Sequence, residues 1–142
     1  MRDDPCRQLA GMGRSFPGFH WKRTRWGMTW RGTLSPTSES PAYRVRIVHR
    51  TGWAPKVFID SPRIATDAPH RWSPDLSLCL YWPDEWRWSA RRSLAESIVP
   101  WTALWLYYYE IWCVVGEWLG PSSPHGMPKE EPSSTPGCSS TF

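Results

Sequence analysis

Apolar residues change their spacing once along this chain, and that change limits the folds open to it. Tyr43, Val45 and Ile47 alternate with Arg44 and Arg46, a period of two that sets an apolar row on one face of a strand and arginines on the other. Residues 28–34 read as an earlier strand, followed by a loop over the serine- and proline-rich residues 35–41. After Thr51-Gly52, the run Lys56-Val57-Phe58-Ile59 reads as a further strand, closed by Asp60-Ser61-Pro62. Short connections between such strands predict an antiparallel meander. From residue 93 onward the step lengthens to three and four: Trp101, Leu104, Trp105, Tyr108, Ile111, Trp112 and Val115 form a helical stripe. Ser93 and Glu96 have the spacing of a capping box, Pro100 should kink or restart the helix, and Gly116 and Gly120 bracket its end. Strands first and helix afterwards predict an α+β domain, a meander sheet packed on helices.

With 142 residues, the chain has room for one core of ordinary domain size. Twelve tryptophans imply that aromatic burial dominates this core. The expected organisation is an N-terminal segment over 1–19, a folded domain over 20–120 and a disordered tail over 121–142, where five prolines recur. Arg2, Arg7 and Arg14 interrupt the start of the chain, which reads as no secretory signal and leads to an expected cytoplasmic location. Residues 98–119 are apolar enough to raise a membrane span, but Glu110 and Glu117 would each cost about 2 kcal/mol or more at bilayer depth. A soluble helix is therefore the preferred reading.

Residues 1–50 hold ten Lys or Arg against three Asp or Glu, a surplus of +7, whereas the remainder holds seven against ten, giving the net +4. This basic third, with Trp21, Trp26 and Trp30 interleaved, has the ingredients of a nucleic-acid surface, because cations neutralise phosphates and indoles stack on bases. A solvated or protein-docking face is the preferred reading over nucleic acid, and a non-catalytic basic binding module stays open as the alternative function.

Cys6, Cys79, Cys113 and Cys138 show neither metal-ligand spacing nor a C-x-x-C pair, and in a reducing compartment they are expected as thiols. In an extended Leu78-Cys79-Leu80-Tyr81, Cys79 would point away from both leucines and outward, which suits a nucleophile. Its structural reading is a small buried apolar residue. Cys113 reads as a packing residue in an aromatic helix, and Cys6 and Cys138 have no evident activator. Trp82, Trp86 and Trp88 read as packing around the loop that follows Cys79.

In order, Trp30-x-Gly32-x-Leu34-x-Pro36, Tyr43-x-Val45-x-Ile47, Pro55-Lys56-Val57-Phe58, His70, Cys79-Leu80 and Trp86 resemble the ubiquitin-conjugating enzymes over about residues 20 to 120. Leu78-Cys79-Leu80-Tyr81, Ile98-Val99-Pro100-Trp101 and Gly116-Glu117-Trp118-Leu119-Gly120 look like a narrower bacterial group, the conjugating-enzyme-like proteins of type II CBASS antiphage operons. The resemblance implies a ubiquitin-conjugating-enzyme-like fold with Cys79 as the catalytic, thioester-forming nucleophile and His70 and Trp86 as support for the active-site loop. No cofactor and no metal are expected. The implied partner is the operon's cyclic-oligonucleotide synthase (CD-NTase), whose C-terminus would be carried on Cys79 and passed to an amine. Pro69-His70-Arg71 lacks the asparagine that the enzymes use as oxyanion donor, which leaves Arg71 as a candidate for that role.

Overall fold

A computed structural model describes residues 5–120; the tail expected over 121–142 lies outside the described residues. The elements run α1 (Pro5–Ser15), β1 (His20–Arg23), β2 (Gly27–Leu34), β3 (Tyr43–Arg50), β4 (Lys56–Ser61), a π-helical turn (Leu94–Ile98) and α2 (Val99–Val115). The strands form one antiparallel sheet in the order β1-β2-β3-β4. This is an α+β meander, with β1 and α1 added to the elements expected from sequence.

The alternation in β3 holds: Tyr43, Val45, Ile47 and His49 are buried while Arg44 and Arg50 are exposed. Trp30 pairs with Ile47, and Ile47 with Val57, so these side chains stand in one row on the inner face of the sheet. That face meets Leu94, Ile98 and Val99, then Trp105, Leu106 and Tyr109 of α2, and Met12 of α1 joins the same core. At Gly32 an added Cβ would lie 2.5 Å from the Phe19 ring; only a residue without a side chain lets that ring lie on the strand. On the outer face Arg46 reaches Asp60 at 3.1 Å and covers the Phe58 ring at 4.4 Å.

Ser93 caps the π-helical turn by accepting from the Glu96 amide at 3.3 Å. Pro100 stands in the first turn of α2, where its missing N–H leaves no bond unmade, so it starts the helix as expected. Gly116 ends α2 at φ 80 with its amide on Trp112 O.

Two expected placements shift. The buried face of α2 is Val99, Thr102, Trp105, Leu106 and Tyr109, whereas Leu104 and Val115 of the expected stripe are exposed. The helix is apolar nearly all round, so its spacing did not single out a face. Thr102 enters the core because its hydroxyl donates to Ile98 O at 2.7 Å. Among the described residues no helix is long and apolar enough to cross a membrane. Glu110, which argued against a span, accepts from Ser40 Oγ at 2.8 Å and from Tyr43 Oη at 2.7 Å, tying α2 to β3 and the loop before it. Burial and this carboxylate together push the Tyr43 phenol above its ordinary range.

Candidate active site

The segment between β4 and the π-helical turn forms a tight hairpin centred on Arg71 and Leu78, which are bridged antiparallel. Trp72 N donates to Ser77 O, Leu76 N to Trp72 O and Cys79 N to His70 O, at 2.8, 2.8 and 2.9 Å. His70 and Leu76 take left-handed φ angles of 59 and 65. Inside the turn, Asp75 accepts from the Ser77 amide and hydroxyl and pairs with Lys56 at 2.7 Å. Burial raises the Asp75 carboxyl, but the Lys56 and Ser77 hydrogen bonds outweigh it and hold the group below its ordinary value. Leu78 N donates to Val57 O at 2.9 Å, which fastens the hairpin to β4.

His70 is the junction of the site. Its carbonyl accepts from Cys79 N at 2.9 Å and from Trp105 Nε1 at 3.1 Å, so one backbone oxygen joins the hairpin to α2. Its ring lies 4.9 Å from Trp118. Burial pushes the imidazole pKa down to about 2, so at neutral pH the ring is uncharged and too weak a base to take a thiol proton.

Cys79 does not point outward. Leu78, Cys79 and Leu80 are all buried, Cys79 with 1% of its surface exposed. The expected alternation fails because the segment is one arm of a hairpin under α2 rather than a half-buried strand of the sheet. Cys79 instead lines a small apolar pocket of about 30 Å³ walled by Trp101, Leu104, Trp105, Tyr108 and Trp118. Leu104, Tyr108 and Trp101, expected as core stripe, are thus pocket wall. Cys79 is disulfide-bonded in this structure, against the expectation of thiols throughout; Cys6 and Cys113 are not disulfide-bonded, and Cys113, expected to pack, is exposed. The Cys79 sulfur lies 3.7 Å from Tyr81 O, a contact that becomes a thiol hydrogen bond only after reduction, when the sulfur carries a proton.

The other residues singled out from sequence divide. Trp86 makes edge-to-face contacts with Tyr81 at 4.6 Å, Trp101 at 4.8 Å and Trp88 at 6.4 Å, with the Arg92 guanidinium 4.5 Å above its ring. It packs against the chain that leaves Cys79. Arg71 Nη2 donates to Ala65 O and Thr66 O at 2.8 and 3.1 Å and Arg71 is not among the residues lining the pocket. Its guanidinium braces the segment before His70, which is a different task from the oxyanion role considered for it. Trp105 and Tyr109 carry no sequence signature of a site, yet Trp105 holds His70 O and Tyr109 Oη accepts from Ala65 N at 2.9 Å. Among the described residues no cluster of histidine, cysteine and carboxylate side chains could hold a metal ion.

A family model described as "Type II CBASS E2 protein" matches residues 8–126. No curated protein matches the chain.

Proposed function

Because this chain belongs to the type II CBASS E2 family and has an E2-like role in that antiphage defence, we propose that it is a thioester-forming transferase with Cys79 as nucleophile on a ubiquitin-conjugating-enzyme-like fold. The observation that carries the reading is the hairpin that hangs Cys79 from the His70 carbonyl at 2.9 Å and turns its side chain into a pocket. In the reaction the reduced Cys79 thiolate attacks the activated C-terminal carbonyl of the cyclic-oligonucleotide synthase. The activating group leaves and a thioester remains. An acceptor amine then attacks that carbonyl, the C–S bond breaks, an amide forms and the thiolate returns.

His70 and Trp86 act as supports in this scheme. The neutral His70 contributes position and an uncharged pocket wall rather than proton abstraction, because its ring stays unprotonated to far below neutral pH. Trp86 holds the exit of the Cys79 segment against Trp101 of α2.

The test is incubation of reduced protein with its synthase and an activating enzyme. Wild type is expected to yield an adduct that thiol reductants cleave, and Cys79→Ala to yield none. The same adduct on the alanine variant would remove Cys79 from the reaction.

A further inference from the structure

A second concavity shares no lining residue with the Cys79 pocket. It is a groove of about 580 Å³ between α1 and the tips of the β1–β2 and β3–β4 hairpins. The two tips are tied by Thr51 N donating to Trp26 O at 2.8 Å. The groove is lined by three indoles and three guanidiniums: Trp21, Trp26 and Trp53 with Arg23, Arg25 and Arg50. The indoles are 50, 57 and 60% exposed, and three such rings in one place are not the ordinary fate of tryptophan, which buries most of its surface. Trp30, counted from sequence with this basic aromatic set, is instead 2% exposed in the core, and the fold puts Trp53 in its place.

The charges are arranged as well. Arg25 lies 4.9 Å from the Trp26 ring centre, and Arg50 lies between two rings, 5.3 Å from Trp26 and 5.2 Å from Trp53. A guanidinium has five N–H donors, and one held over a ring can still present donors to an anion. Among the described residues no carboxylate lines the groove and none of these three arginines makes an ion pair. A ligand that satisfies this surface brings anionic groups to the arginines and flat faces to the indoles.

We propose that the groove binds single-stranded nucleic acid, with phosphates on Arg23, Arg25 and Arg50 and bases stacked on Trp21, Trp26 and Trp53. An acidic peptide would satisfy the arginines but bring no flat group to the exposed parts of the three indoles. The site does not depend on the chemistry at Cys79.

The experiment is fluorescence anisotropy of a labelled oligothymidylate about ten nucleotides long, with oligoglutamate of equal charge as competitor. Binding is expected to weaken with salt, with a log–log slope of about −2 for three phosphate contacts, and Arg50→Gln should reduce the slope by about 0.7. Trp26→Ala and Trp53→Ala, both on exposed side chains, should each weaken binding by about 5- to 150-fold, the effect of one stacked base. Absence of binding at low salt, or binding that both tryptophan variants leave unchanged, would overturn the proposal. Displacement by oligoglutamate at equal concentration would overturn it in favour of an acidic peptide.

Discussion

At the scale of single residues, His70 shows how burial fixes chemistry. Its ring is held neutral in the folded chain, with a pKa near 2, while in the unfolded chain it titrates near 6.5. Above about pH 6.5 both states are neutral and the group leaves stability unchanged. Below it the unfolded state takes up a proton that the folded state refuses, so stability falls as pH falls, by about 1.4 kcal/mol per pH unit at most. Asparagine also accepts the left-handed φ of 59 at this position. Urea denaturation of His70→Asn should therefore lose, relative to wild type, about 1 to 2 kcal/mol of the decline between about pH 6.5 and pH 5. Parallel curves for the two proteins would mean that the imidazole titrates normally in the fold. The identity of His70 and Cys79 as neighbours was legible from the order of motifs. The burial of Cys79 was not, because an extended segment and a hairpin arm present the same alternating letters, and a left-handed residue such as Leu76 leaves no mark in the sequence.

At the scale of elements, α2 serves three neighbours at once. Trp105 holds the site hairpin, Glu110 holds β3 through Tyr43, and Trp118, just past the Gly116 cap, closes the pocket against His70 at 4.9 Å, Trp105 at 5.4 Å and Tyr108 at 6.2 Å. A pocket of about 30 Å³ holds about one water, so the acyl transfer proposed for Cys79 would require this wall to move. Trp118→Ala should remove the cover, and iodoacetamide should then alkylate reduced Cys79 about tenfold faster than in wild type, the effect of lowering an opening cost by about 1.4 kcal/mol. Equal rates would show that access runs elsewhere. Glu110→Ala strips both hydroxyls of a charged acceptor and should cost about 2 kcal/mol in denaturant unfolding; a change under about 0.5 kcal/mol would mean that water replaces the carboxylate there. Elements with one wet and one dry face, such as β3, were readable from their period. β1 was not, since all four of its residues are exposed, and neither was α1, whose buried side chains are only Gln8 and Met12.

At the scale of the whole molecule, the missed helix closes the chain on itself. Gln8 Nε2 donates to Arg92 O at 2.9 Å, and its Oε1 accepts from Leu94 N at 2.9 Å, across 84 and 86 residues of sequence. One buried side-chain amide thus satisfies both a carbonyl and an amide at the threshold of the π-helical turn, where the chain turns from the site loop into α2. The turn itself packs beneath the sheet through Leu94 and Ile98. The family match begins at residue 8 and so takes in this contact. Gln8→Ala would leave the buried Leu94 amide without its partner, at about 1 to 3 kcal/mol, whereas the Arg92 carbonyl belongs to an exposed residue that water can reach. Its expected signature is faster hydrogen exchange not only in α1 but at the amides of Leu94 and the turn that follows, together with a lower midpoint of denaturation. Exchange that quickens in α1 alone would show that the helix is an appendage, and that the entrance to α2 is held by the sheet without it.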